Sequence, residues 1–197
     1  MSSLITFFET ALYVIFVQNL VFSGGYGSSE AIRMSAKPKR FLPFSVMITY
    51  FSTLTALICR LLDYIDFIDS LSLGFHTLIF GGVLTAVFLI TVFLSKLFLS
   101  PNQKFYSTIS IAALNTLVFA VPLINRNAGF SLLQSVGTGI GSGVSFIIAL
   151  FLINVGLRRL ENNKNIPPLF KGTPAVFLYV AMLSIAFAGL SGRSLFA

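Results

Sequence analysis

The chain has 197 residues, of which 56% are hydrophobic and only 10% are charged, and its mean hydropathy is +0.92. A water-soluble domain carries about a quarter charged residues, so this composition excludes an ordinary soluble globule and predicts a single membrane domain over residues 1–197. The net charge of +7 does not favour nucleic-acid binding, because the basic residues lie between apolar segments and form no single patch. With one cysteine, Cys59, an internal disulfide is excluded.

Six apolar segments follow one another along the chain, each close to the ~20 residues that cross ~30 Å of hydrocarbon. We predict them at about 4–23, 43–62, 73–95, 107–124, 132–157 and 174–191, with the fourth ending at Pro122. This pattern is typical of an all-α integral membrane protein with six transmembrane helices.

The loops between these segments differ in charge. The first, third and fifth loops carry four, two and four Lys or Arg residues, whereas the second is acidic and the fourth holds the single Arg126. Because positive loops stay on the cytoplasmic side, we expect loops one, three and five in the cytoplasm. Both termini are then outside, and the protein is a multi-pass protein of the cell membrane.

Two stretches about one hundred residues apart share a pattern. Asn19 is followed by Leu-Val-Phe and then by three glycines within four residues, whereas Asn115 is followed by Thr-Leu-Val-Phe and then by Pro122. Paired, interrupted apolar segments in two halves of a chain indicate an inverted-repeat membrane protein with a midplane site. We therefore predict an inverted 3+3 repeat, about 1–98 and about 99–197, in which helices 1 and 4 are broken.

The two asparagines allow two interpretations. They satisfy backbone groups that are freed where each helix breaks, since an unpaired backbone group in lipid costs several kcal/mol, or they line a small polar site between the two halves. Gly24, Gly25 and Gly27 permit a close backbone approach or a positive φ at the first break.

Four glycines alternate along the fifth segment. At helical spacing Gly137 pairs with Gly141 and Gly139 pairs with Gly143, and each pair is of the small-xxx-small type. Such pairs let helix backbones approach closely, so we predict helix packing at these glycines, within the chain or against another subunit.

Other polar residues are open to more than one interpretation. Three aspartates, Asp63, Asp66 and Asp69, recur every third residue. They belong either to a solvated outer loop or to an acidic mouth that collects ions. His76 has no Cys or His nearby at metal-binding spacing, so we predict an interfacial polar residue and no metal site. Glu9 is the one carboxylate inside a span, and it is either functional or close enough to the end to contact water.

No nucleophile–base pair, catalytic carboxylate pair, phosphate loop or HExxH motif occurs in the sequence. The residues alone therefore predict a small polytopic membrane protein with a transport, conduit or assembly role, and they do not choose among these roles.

Several motifs resemble the RnfA/NqrE family over almost the whole chain. The first half matches from about Gln18 to Asp63. The matching runs of the second half are Leu132-Leu133-Gln134-Ser135, Leu157-Arg158-Arg159-Leu160, Pro167-Pro168-Leu169-Phe170-Lys171-Gly172 and Leu183-Ser184-Ile185-Ala186-Phe187-Ala188-Gly189-Leu190-Ser191-Gly192. The resemblance implies one of two homologous six-helix subunits of an ion-pumping redox complex that passes electrons between NADH and ferredoxin or quinone.

The resemblance also implies a cysteine after each break, through which the two homologous subunits together hold a [2Fe–2S] cluster. Here those positions are Ser29 and Thr116. Iron–sulfur clusters are held by thiolates, and a hydroxyl is a poor substitute. We therefore expect no [2Fe–2S] ligands and no metal site in this chain, and flavin only in partner subunits.

Two functions follow as hypotheses. The first is a membrane subunit of an Rnf/Nqr-like ion-translocating or electron-transfer oxidoreductase complex, whose partners are a homologous six-helix subunit together with other redox subunits. The alternative is a stand-alone transporter of an ion or small solute with a midplane site. Neither assigns a catalytic residue to the chain, and both place the same residues at the centre: Asn19, Gly24, Gly25, Ser29, Asn115 and Thr116.

Overall fold

The computed structural model describes residues 2–98 and 103–190. All regular secondary structure in these two ranges is helical, which confirms the predicted all-α class. Pro101 of the predicted third loop and the Ser191-Gly192 pair lie outside the described residues, as does the predicted boundary between the two repeats.

The described helices are α1 (Ser2–Leu12), α2 (Leu20–Gly24), α3 (Ser28–Ser35), α4 (Phe41–Leu62), α5 (Asp66–Asp69), α6 (Leu73–Phe98), α7 (Gln103–Ala113), α8 (Thr116–Asn127), α9 (Leu132–Asn162) and α10 (Thr173–Leu190). A π-helical turn, Tyr13–Val17, continues α1. Short 3-10 turns precede α4 and α10. The fold is thus a helical bundle in which two apolar segments are each divided in two.

Five helical stretches of the described chain are long and apolar enough to cross a bilayer. They are Pro38–Leu62, Leu73–Phe98, Phe105–Asn127, Leu132–Asn162 and Thr173–Leu190. The first predicted segment forms a shorter apolar helix, Leu4–Val17, because the helix stops before Gln18. Six spans and the inverted repeat therefore stay predictions.

The core of the bundle lies between α4 and α9. Phe44 of α4 and Phe146 of α9 are fully buried, and their ring centroids are 5.7 Å apart. Ile48, Phe51 and Leu150 are also fully buried. Because these large side chains fill the space between the two helices, they hold the two halves of the chain together.

The start of α9 is fixed by its own side chains. The Ser131 hydroxyl accepts a hydrogen bond from the Gln134 backbone N–H, and the Gln134 side chain accepts one from the Ser131 N–H. This reciprocal capping box satisfies two of the free backbone donors at a helix start.

The first pair of glycines in α9 faces α1. A methyl group added at Gly137 would lie 2.8 Å from the carbonyl oxygen of Phe7, and one added at Gly141 would lie 2.9 Å from the carbonyl oxygen of Ala11. Both contacts are with backbone atoms, so the α1 and α9 backbones approach each other closely at this pair.

The second pair of glycines in α9 faces α4. A methyl group added at Gly139 would lie 2.6 Å from the Cα of Thr53. At Gly143 it would overlap the side chain of Thr49 and lie 2.9 Å from the Thr49 Cα. Gly139 and Gly143 therefore mark a second close approach, and both predicted glycine pairs pack against helices of this same chain rather than against another subunit.

The prediction that the fourth segment ends at Pro122 is wrong. Pro122 lies inside α8, which continues to Asn127. Proline removes one backbone donor, so the carbonyl of Val118 lacks its usual partner four residues on. Membrane helices tolerate this loss where neighbouring helices bury the site. The interruption of the fourth segment lies earlier, between α7 and α8 at Leu114 and Asn115.

Candidate functional site

The first helix break is built around Asn19. Its backbone leaves the helical region at φ −59° and ψ 110°. The side-chain Oδ1 accepts hydrogen bonds from the N–H groups of Val21 at 3.0 Å and Phe22 at 3.4 Å, which caps α2. The Nδ2 group donates to the backbone carbonyl of Ser145 in α9 at 3.1 Å. Asn19 is fully buried, so both ends of its amide are used to hold the break in place.

The second break repeats this local structure. Asn115 is buried and caps α8, with Oδ1 accepting from the Leu117 N–H at 2.9 Å. Its Nδ2 group differs from that of Asn19, because it is buried without a hydrogen-bond partner among the described residues. An unpartnered buried amide donor is costly, and it therefore marks this break as a candidate binding position.

The two breaks touch one another through Gly27. The Gly27 N–H donates a hydrogen bond of 2.8 Å to the Thr116 hydroxyl, which lies 89 residues further along the chain. Gly27 has φ +72°, and a methyl group added there would lie 2.5 Å from Asn115 Oδ1. A glycine is thus required here both by its left-handed backbone and by the close approach of the second break.

The other predicted central residues lie around this contact. Gly25, with φ +70°, ends α2, and Gly24 packs against the ring of Tyr26. Ser29 lies in the first turn of α3 and Thr116 begins α8, and both are exposed. The structure therefore joins the second break to the segment that follows α2, whereas Asn19 bonds to α9. Gly27, which the prediction left out of the site, makes the contact.

A cluster of charged and polar side chains joins α4, α6 and α8 at one end of the bundle. The sequence did not reveal this cluster. Asp63 is buried, and its Oδ1 lies 2.9 Å from Arg126 Nη1 and 3.7 Å from His76 Nε2. Arg126 also donates from Nη1 to the carboxylate of Asp69 and from Nη2 to the backbone carbonyl of Asp69, each at 3.0 Å. These contacts leave no pattern in the sequence, because the partners come from separate helices.

The structure corrects two predictions for this region, one for His76 and one for the three aspartates. His76 was expected at the interface, but it is fully buried, because α6 packs this face against α4 and α8. Asp63, Asp66 and Asp69 do not form one face: Asp63 is buried, whereas Asp66 and Asp69 are exposed in α5. Glu9, also singled out from the sequence, is exposed on α1.

The charge of Asp63 depends on its cationic neighbours. Burial raises the pKa of Asp63 above that of a free aspartate, whereas Arg126, His76 and Arg60 act to lower it. Its carboxylate is therefore stabilised in the charged form only while these cations remain close.

Comparison with known proteins adds a family. Residues 7–193 match the family described as "Rnf-Nqr subunit, membrane protein". The chain belongs to the Rnf-Nqr subunit family. This agrees with the resemblance found in its motifs.

Two of the relatives of this Rnf-Nqr subunit match about nine-tenths of the chain, and a third matches less than half. One belongs to the Na(+)-translocating ferredoxin:NAD(+) oxidoreductase complex of Acetobacterium woodii and is 27% identical over 183 residues, which is 92% of this chain and 94% of the relative. Another belongs to an ion-translocating oxidoreductase complex of Aromatoleum aromaticum and is 30% identical over 178 residues, 89% of this chain and 91% of the relative. A third, from the proton-translocating ferredoxin:NAD(+) oxidoreductase complex of Clostridium ljungdahlii, is 38% identical over 82 residues, 42% of each chain.

The [2Fe–2S] cluster that the family resemblance implies does not fit the residues of this Rnf-Nqr subunit. Its two expected ligand positions hold the hydroxyls of Ser29 and Thr116, and the Thr116 hydroxyl already accepts the Gly27 N–H. Such clusters are held by thiolates. The only thiol in the sequence, Cys59, is buried inside α4 and is not part of either break.

Proposed function

We propose that this chain is a membrane subunit of an Rnf-type ion-translocating oxidoreductase complex. The observation that carries the proposal is the family match over residues 7–193. Relatives whose names describe them as subunits of such complexes cover about nine-tenths of the chain. The all-helical fold, with five apolar helices long enough to cross a bilayer among the described residues, supports a membrane location.

Within this complex the chain is an inverted 3+3 repeat with six spans. The matching caps support this architecture, since Asn19 caps α2 and Asn115 caps α8 in the same way. Each break is followed by two long helices, α4 and α6 in the first half and α9 and α10 in the second. Since each half would cross the membrane three times, the halves would have opposite orientations. The basic loops one, three and five lie in the cytoplasm and both termini lie outside.

The centre of the proposed subunit is the contact between the two breaks. Its residues are Asn19, Gly24, Gly25, Ser29, Asn115 and Thr116. The exposure of Ser29 and Thr116 beside this contact supports a partner at this surface, and a homologous six-helix subunit is the partner we propose. The chain supplies the scaffold and no thiolate, so any iron–sulfur cluster at this surface is held by the partner, and flavin is bound by other subunits.

The alternative function is a stand-alone transporter. The observation in its favour is the buried Asn115 Nδ2 donor, which has no partner among the described residues and lies next to the contact of the two breaks. A small solute with an acceptor oxygen, or an anion, would satisfy this donor, as in transporters that bind substrate at broken helices.

Purification through a tag on this chain tests the two functions. The co-purifying chains are identified, and iron, acid-labile sulfide and flavin are measured in the same sample. For the oxidoreductase complex we expect flavin-carrying subunits together with a related membrane subunit. A chain that purifies alone, without iron and flavin, and that catalyses solute uptake in vesicles would contradict it and favour the transporter.

A further inference from the structure

A pair of polar atoms is buried where α4, α6 and α8 meet. His76 Nε2 and Asp63 Oδ1 lie 3.7 Å apart, and their side chains are 0% and 2% exposed. His76 Nε2 makes no hydrogen bond with any described residue. Asp63 Oδ1 is paired with Arg126 Nη1 at 2.9 Å, and the same nitrogen also donates to Asp69. A buried polar atom without a partner costs free energy, and the Asp63 carboxylate is the acceptor that a hydrogen on His76 Nε2 would face.

The other ring nitrogen shows what joins them. His76 Nδ1 lies 3.1 Å from the backbone carbonyl oxygen of Ser72. A carbonyl oxygen only accepts hydrogen bonds, so Nδ1 carries a hydrogen. A neutral imidazole carries a hydrogen on one nitrogen only, and its Nε2 would then present a lone pair to the Asp63 carboxylate. A lone pair on Nε2 and a carboxylate oxygen repel, and a proton on either atom converts this repulsion into attraction.

We propose that His76 and Asp63 form a proton-binding site in which one exchangeable proton lies between Nε2 and Oδ1. The proton is bonded either to Nε2, as an imidazolium beside a carboxylate, or to Oδ1, as a carboxylic acid beside a neutral imidazole. Both forms give the pair a net charge of zero. When the proton leaves, the pair carries one negative charge and Nδ1 keeps its hydrogen.

The surrounding charges favour a proton over a metal cation. The groups close to the pair are Arg60 and Cys59 on α4, Asp69 on α5, Arg126 on α8, and Tyr64, whose ring lies 5.3 Å from the Arg60 guanidinium. Two guanidinium groups within 4 Å of Asp63 would repel a metal ion, whereas a proton needs only the two atoms already in place. Asp63 and Asp69 balance the two guanidinium groups, so the bound proton adds one positive charge to this group of residues.

Binding of the proton links two parts of the bundle. His76 belongs to α6, and Asp63 ends α4 beside Arg126 of α8. With the proton bound, a hydrogen bond ties α6 to this end of α4. Without it, two acceptors repel each other across the same interface. The inference does not rest on the proposed redox function, because it uses only residues of this chain.

The sequence offers a direct test, because His76 is the only histidine in the chain. The full chain, labelled with nitrogen-15 in histidine only, is purified into lipid nanodiscs, and NMR measures both ring nitrogens between about pH 5 and 9. The expected result is a ring that keeps its hydrogen on Nδ1 across this range and exchanges the hydrogen on Nε2. Asp63→Asn should shift the Nε2 signal, because it removes the carboxylate that shares the proton, whereas the exposed control Asp66→Asn should leave the signal unchanged.

Two results would overturn the proposal. One is a neutral ring that carries its hydrogen on Nε2 in the unmutated chain. The other is an Nε2 signal that is the same in Asp63→Asn and in the unmutated chain. Should Asp63→Asn not fold, the position of the ring hydrogen in the unmutated chain decides the question by itself, since the proposal requires Nδ1–H in the neutral form.

Discussion

Replacing Gly27 by alanine tests whether the two helix breaks touch. The glycine has φ +72°, and an added methyl group would lie 2.5 Å from Asn115 Oδ1 and 3.2 Å from Asn115 Nδ2. The Asn115 amide must move to admit the methyl group, and its hydrogen bond to the Leu117 N–H at 2.9 Å must then lengthen or break. Gly27→Ala is therefore expected to destabilise both breaks with one change.

The magnitude has two parts. A residue with a Cβ in the left-handed region costs roughly 1–2 kcal/mol. Loss of the side-chain cap at the start of α8 adds about 0.5–2 kcal/mol. Gly25→Ala is the matched control, because Gly25 has φ +70° but no described atom within 4 Å of the added methyl group. We expect about 1.5–4 kcal/mol for Gly27→Ala and about 1–2 kcal/mol for Gly25→Ala.

The free energy of unfolding of both variants is measured in mixed micelles by denaturing-detergent titration, followed by circular dichroism. A greater loss in Gly27→Ala than in Gly25→Ala supports the contact with Asn115. Equal losses in the two variants would refute this contact. They would show that each variant loses only the free energy of placing a Cβ in the left-handed region, a cost that both glycine positions share. The same two variants in the tagged complex show whether partner subunits bind at this contact.

Three further substitutions test other parts of the structure. Asn19→Ala removes the cap of α2 and the hydrogen bond to α9, so the free energy of unfolding in the same titration should fall by about 1–3 kcal/mol. An unchanged free energy of unfolding would show that the break needs no cap. Gly139→Ala should cost about 1–3 kcal/mol by overpacking against the α4 backbone, whereas Gly82→Ala, with no described atom within 4 Å, should be neutral or slightly stabilising, and equal effects would contradict the close approach. Ser29→Cys combined with Thr116→Cys supplies the two thiols of the family pattern, and about two additional iron atoms per complex are expected; unchanged iron would argue against cluster ligands at these positions.

The local features of the fold could be predicted from the sequence. An asparagine directly before Leu-Val-Phe at one place, and before Thr-Leu-Val-Phe at the other, indicated both breaks, because a short amide side chain is a good helix cap wherever it occurs. The prediction for Pro122 was wrong because proline ends a helix only when its lost hydrogen bond cannot be tolerated. In α8 the surrounding helices bury the residue and the helix continues. The outcome depends on packing, which a single segment does not encode.

The polar contacts between distant segments could not be predicted in the same way. Asp63, His76 and Arg126 come from three different parts of the bundle, and each has an ordinary interpretation when considered alone. The same holds for Gly27 and Thr116, whose hydrogen bond spans 89 residues. Such pairs become visible only once the bundle is packed, because no periodic pattern links their positions in the sequence.

The two glycine faces of α9 have a consequence for motion in the bundle. A helix whose backbone touches α1 on one side and α4 on the other cannot slide or rotate without steric overlap on one of them. By contrast, the most apolar stretches of α6 and α10 are each only 17% buried, compared with 56% for that of α9. We therefore expect α1, α4 and α9 to move as one rigid body, and slow amide hydrogen exchange should mark them. Any conformational change would then involve α6 and α10, the helices that leave large surfaces free for lipid or for a neighbouring protein.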